Sequence, residues 1–227
     1  LHQKEKNTDW STEIKERVFH SFHRVPITVE ELQLKETTGT HQRVIDMVAH
    51  ELITKERIEE WKELPGVAPG VDISRDIVKL AAIERHKNTG HVGLGFLGKY
   101  GLKKGAVATS IGHDSHNLVI AGVTDEDMVL AGNRVIENGG GLAIALEGKV
   151  LADLPLPIGG LMADEPVEVV DEKLEHMKKL SVELGISEDI DAFMTLAFIS
   201  LPVIPKLRLN TYGVVDVEKH QVVEARF

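Results

Sequence analysis

Two short runs with almost nothing polar in them, "AVATSIG" (Ala106–Gly112) and "LVIAGV" (Leu118–Val123), stand on either side of five polar residues, His113-Asp114-Ser115-His116-Asn117. Apolar runs this brief, bounded by turn formers, read as strands whose two faces are both buried. Successive strands of that kind demand a sheet with covers on each side. The remaining segments supply both. "RVIDMVA" (Arg43–Ala49) is β-rich, and "DIVKLAAIER" (Asp76–Arg85) reads as a strand, with its alanines leaving a helix as the alternative. "LAIALEGKVLADL" has the outline of a hairpin around Glu147-Gly148-Lys149. Thr124 opens a helix whose first-turn acids complement the helix dipole and whose stop is Gly139–Gly141.

A second helix is predicted over "DEPVEVVDEKLEHMKKLSVELG", capped by Asp164, with Pro166 in its first turn and Gly185 ending it. Val167, Val170, Leu174, Met177 and Leu184 form its apolar stripe. Thr54–Trp61, "TKERIEEW", also reads as a helix, with Thr54 as N-cap and charges at helical spacing. Residues 1–42 form a polar connecting segment: "DWSTEIKERV" is a short helix and "VPITVEEL" is extended, then turns helical from Thr28. The tail, "FMTLAFISLPVIPKLRLNTYGVVDV", is apolar and proline-punctuated, then extended. The expectation is an α/β (mixed α+β) fold: one mixed β-sheet covered by helices, a single compact domain over 43–227 behind that lead-in. A chain of 227 residues is long enough to bury such a sheet.

Charge and composition then exclude whole classes. A formal charge of −10 argues against nucleic acid as a partner, and "KYGLKK" (Lys99–Lys104) is the only short basic cluster. No stretch approaches the roughly 18 apolar residues a membrane helix needs. With no cysteine, disulfides, thiolate zinc sites and cysteine nucleophiles are impossible, so any metal must be held by His, Asp, Glu and water. A reducing cytoplasm is the expected address. The opening residues are too polar for a secretory signal. Beginning at Leu1, they read like the middle of something, and a fragment or processed product is expected.

A chain does not need two imidazoles and a carboxylate to turn a corner. His113 and His116 offer neutral nitrogens three residues apart, and Asp114 is a third ligand or an orienting partner. Ser115 and Asn117 add hydrogen-bonding groups suited to a polar heterocycle. The competing view is that Asp, Ser and Asn simply form a turn, and His-x-x-His alone is a weak metal motif. "ERHKNTGH" follows the preceding strand, and if the two strands neighbour each other in parallel, Glu84 or His86 approaches His113. The other pair at this spacing, His20 and His23, alternates with phenylalanines and is read as non-binding.

"GLGFLG" (Gly93–Gly98) fits the dinucleotide fingerprint G-x-G-x-x-G, with Asp114 about twenty residues on. The fingerprint requires a strand leading straight into the glycines and a helix leaving them. Here a polar segment intervenes, and Gly101 breaks any following helix. These glycines are read instead as a tight turn or a close approach to a neighbour.

At this point the stretches "ERH..TG", "HDSHN", "DEDM..A.NR", "LPLPI.GLM" and "LPVIP", in this order from about Arg43 to Val217, closely resemble the C-terminal domain of bacterial and archaeal adenine deaminases, of the amidohydrolase superfamily. The resemblance implies hydrolytic deamination, adenine plus water giving hypoxanthine plus ammonia. A metal-activated water attacks C6, a carboxylate shuttles protons, and the amine leaves. It also implies a divalent metal (Mn, Fe or Zn) at the mouth of a (β/α)8 barrel preceding this domain, whose first strand carries His-x-His. This chain contains no His-x-His, and a barrel alone takes about 250 residues. The expectation is therefore the C-terminal part of an adenine deaminase, inactive without its barrel, with "HDSHN" facing the active-site mouth or an accessory metal held by His113 and His116. Adenine and the barrel are the expected partners, and a homo-oligomer is possible on the apolar segments. The alternative is a stand-alone purine- or metal-binding regulatory module. An NAD-dependent oxidoreductase is the third, disfavoured reading.

Overall fold

A computed structural model of the chain describes residues 11–35 and 37–227. β1 (His41–Met47) and β2 (Thr54–Glu60) form a hairpin at one edge of an eight-stranded sheet. The sheet continues with β3 (Ile77–Ile83), β4 (Val92–Gly98), β5 (Ala106–Thr109), β6 (Leu118–Gly122), β7 (Gly141–Leu146) and β8 (Lys149–Pro155). The spatial order is β2-β1-β4-β3-β6-β5-β7-β8; β1 and β4 pair in parallel and the other neighbours are antiparallel. Among the described residues the helices are α1 (Thr12–Phe19), α2 (Asp125–Glu137), α3 (Val167–Glu183) and α4 (Ala192–Ile199). A second, three-stranded sheet is made of β9 (Leu207–Asn210), β10 (Gly213–Asp216) and β11 (Gln221–Val223).

The runs that read as doubly buried are so: every residue of β3, β5 and β6 is buried. Side chains alternate across a strand, so the two faces have separate cores. Leu80, Ala82, Val107 and Val119 pack against α3, α4 and the small sheet through Met177, Leu196 and Leu209. Ala81, Ile83, Ala108 and Ile120 pack against Met128, Ala131 and Val135 of α2, with Ile27 and Leu32 of the lead-in beside them. The Thr124 side chain caps α2 by accepting from Asp127 N, and the β7–β8 hairpin turns at Glu147-Gly148 as expected. No described helix is long and apolar enough to cross a membrane.

Three expectations need correction. Thr54–Trp61 is not a helix; Thr54–Glu60 is the edge strand β2. Two of its charges pair across the hairpin, where Arg57 meets Asp46 at 2.8 Å and Arg43 meets Glu56 at 2.5 Å, and strand pairing outweighs helix propensity. A charged edge also deters pairing with other chains. Asp164 does not cap α3: Pro166 stands at the N-cap with no side-chain bond, and Val167 is 73% exposed while Met177 is buried. The tail adds a second sheet, where one had been expected. "GLGFLG" lies within β4, where the close approach to a neighbour read from its glycines is found. A Cβ on Gly93 would stand 1.8 Å from the Asn210 carbonyl oxygen, so its hydrogen lets the two sheets meet backbone to backbone.

Candidate functional site

β3 and β5 both run antiparallel to β6, hence parallel to one another, and their following loops leave the sheet at the same edge. The two strands are parallel but not neighbours, since β6 lies between them, yet the loops still meet. The His86 Nε2–H donates to the Ser115 carbonyl at 2.6 Å, so the loop after β3 touches the pentapeptide after β5.

The strongest link was not foreseen. Arg85 is 2% exposed, and its Nε–H donates to the His116 carbonyl. Nη1 reaches the Ser21 carbonyl and hydroxyl at 3.3 Å, Nη2 reaches the Gly159 carbonyl at 3.1 Å, and the guanidinium lies 4.8 Å from the centre of the Phe22 ring. One buried side chain thus ties the lead-in, the turn after β8 and the pentapeptide together. Burial pushes the Arg85 pKa down to about 10, with Glu84 opposing. The signal was present in the alternation Ala81, Ile83, Arg85, which aims an arginine into the same face as two buried apolar residues.

His113 is held from the other side. Its N–H donates to the Ala197 carbonyl at 2.9 Å, its own carbonyl accepts from Ser200 Oγ at 3.2 Å, and its ring lies 4.7 Å from Phe198 of α4. The His113 and His116 rings stand 6.0 Å apart. Asp114 and Ser115 are exposed, whereas His113, His116 and Asn117 are half-buried. His116 Nδ1 and Asn117 Oδ1 are buried without a partner among the described residues. Burial, then His113, Arg85 and His86, hold the His116 imidazole below its ordinary pKa, against the pull of Asp114. His116 is therefore neutral at pH 7, with a lone pair available to a ligand donor.

Glu84 is not brought to the pentapeptide. Its carboxylate accepts from the N–H groups of His86, Lys87 and Thr89 and from Thr89 Oγ1, at 2.6–3.0 Å, and so shapes its own loop. Burial opposes ionisation, but these bonds outweigh it and lower the pKa from 4.5 to about 2. The carboxylate's contribution is complete above the unfolded value of 4.5 and is lost as pH falls toward 2. Glu84→Gln is expected to cost about 1 kcal/mol at pH 7, discounted for partial exposure. The deficit should shrink toward pH 3, which denaturant unfolding at the two pH values checks. His91 lies apart, against Tyr212 at 4.8 Å, and His20 and His23 are exposed.

Among the described residues no three His, Asp or Glu side chains gather to hold a metal ion. His113 and His116 supply two nitrogens, and a metal there would need further donors from outside them. What the corner offers by itself is a neutral imidazole, an amide oxygen and a second imidazole, held at a rigid sheet edge and suited to the donors and acceptors of a polar heterocycle.

Residues 51–221 match the family model described as the adenine deaminase C-terminal domain. The chain is 48% identical over 181 residues to an "Adenine deaminase 2" of Carboxydothermus hydrogenoformans, covering 80% of this chain and 32% of that protein. It is 48% identical over 185 residues to an adenine deaminase of Kosmotoga olearia, covering 82% and 32%. To an adenine deaminase of Lysinibacillus sphaericus it is 40% identical over 208 residues, covering 91% and 36%. The chain spans about a third of the length of these curated relatives.

Proposed function

Since the chain belongs to the adenine deaminase C-terminal domain family, we propose that it works as that domain of a cytoplasmic enzyme hydrolysing adenine to hypoxanthine and ammonia. In this reading the pentapeptide corner faces the mouth of a catalytic barrel joined to the chain. The family is one of metal-dependent hydrolases. The divalent ion, whether Mn, Fe or Zn, belongs in this reading to ligands on the barrel, as the family resemblance implies.

The observation that supports this most is the unpartnered pair His116 Nδ1 and Asn117 Oδ1. Buried polar atoms left without partners are costly, and a loop with only a turn to make has no need of them. Arg85 and α4 fix the two imidazoles, His116 is kept neutral, and Asn117 presents an acceptor to a purine N–H.

The test is a fusion in which this chain replaces the C-terminal third of the Carboxydothermus relative. The fused protein is expected to release ammonia from adenine, and this chain alone, supplied with Mn, Fe or Zn, is expected to release none. Turnover by the isolated chain, or a folded fusion with no activity, would contradict the reading.

A further inference from the structure

A groove of about 600 Å³ runs between the β1–β2 turn and α4, lined by Val48, Leu52, Ile53, Ile190, Met194 and Phe198 among others. Leu52, Ile53 and Met194 are 53%, 41% and 46% exposed, three large apolar side chains around one cavity. Glu51, Asp189 and Asp191 stand exposed on its rim, and none is in an ion pair among the described residues. An apolar centre inside a charged, unpaired rim is the anatomy of a protein interface.

The groove is built rather than loose. Thr54 Oγ1 donates to the Leu207 carbonyl at 2.8 Å, and Thr54 N–H to the Pro205 carbonyl at 3.0 Å. The buried Arg208 guanidinium donates to the carbonyls of Leu52 and Leu207. The β1–β2 turn is therefore bolted to the start of β9.

The groove is also continuous with the candidate site. Phe198 lines it, and its ring lies 4.7 Å from that of His113. Met194 and Phe198 are four residues apart and so lie on one face of α4.

We propose that this groove is the docking surface for an apolar segment of the catalytic barrel, which reaches His113 through Phe198. The proposal rests on the reading of the chain as an adenine deaminase C-terminal domain. Its occupant is drawn from the two thirds of the relatives' length that lies outside this chain. A barrel segment on Met194 and Leu52 fixes α4 against the partner, and with it the two bonds α4 makes to the His113 backbone. Docking and alignment of the imidazoles are then one event.

Hydroxyl-radical footprinting tests this on this chain and on its fusion to the relative's barrel. Oxidation of Leu52, Ile53 and Met194 is expected to fall about fivefold or more in the fusion, as at a water-excluding interface core. Val167 and Tyr212, 73% and 68% exposed on other surfaces, report any alternative face. Equal labelling of the groove in both proteins, or protection moved to Val167 or Tyr212, would overturn the proposal. If the fusion nevertheless deaminated adenine, the functional reading would stand without this surface. Groove protection in an inactive fusion would support the surface and count against the reading.

Discussion

Lys79→Met is expected to lower the stability of the chain by about 3–5 kcal/mol, the usual cost of breaking a buried ion pair from one side. Lys79 Nζ lies 2.7 Å from Asp125 Oδ1, with the side chains 1% and 6% exposed. By strand alternation Lys79 points to the α2 side of the sheet, into a layer otherwise filled by Ala81, Ile83 and Met128. Asp125 opens α2, where the helix dipole favours an anion, and its Oδ2 accepts from Gln33 Nε2 at 2.8 Å. Burial pushes the Lys79 ammonium below its ordinary pKa even though Asp125 and Glu126 pull it up. The pair joins the first turn of α2 and, through Asp125, the Gln33 segment to the centre of the sheet. Lys79→Met/Asp125→Leu should recover most of what the single change loses. Denaturant midpoints of the two variants measure this; a single variant as stable as the parent would show that the pair does not hold α2.

The parts of the fold set by local chemistry were legible in the chain. The Thr124 cap and its acidic first turn placed α2, and short, largely apolar runs placed β5 and β6. Parallel directions for β3 and β5 were enough to bring His86 to the pentapeptide, although the strand between them was not anticipated. What could not be read depended on partners distant in sequence. β2 is a strand because β1 offers Asp46 to Arg57, and nothing within "TKERIEE" records that. Gly93 is a glycine because of Asn210, more than a hundred residues later. Arg85 was passed over between two more conspicuous residues, though its inward alternation marked it. Phe198 and Ser200, which hold His113 from α4, lie in a tail whose apolar composition hid the contact.

Of the changes expected to act on chemistry, the largest fall on the two imidazoles. His116 presents an unpartnered Nδ1 and its neighbour Asn117 an unpartnered Oδ1, and His113 is held by α4 through Ala197 and Phe198. Both residues are half-buried, and the bonds that tie them to Arg85, Ala197 and Ser200 go through their backbones, so removing either ring should leave the fold intact. A group that binds or moves a proton on a reacting base contributes about a hundredfold or more. His113→Gln and His116→Gln, which keep polarity but lose the imidazole, should be nearly as damaging as the alanine variants.

The decisive measurement is kcat/KM for adenine in the fused enzyme carrying His113→Ala or His116→Ala, with the denaturant midpoint of each variant taken alongside. A fall of about a hundredfold at unchanged midpoint is the expected result. Kinetics indistinguishable from the parent fusion would mean that the corner after Gly112 is a turn and nothing more.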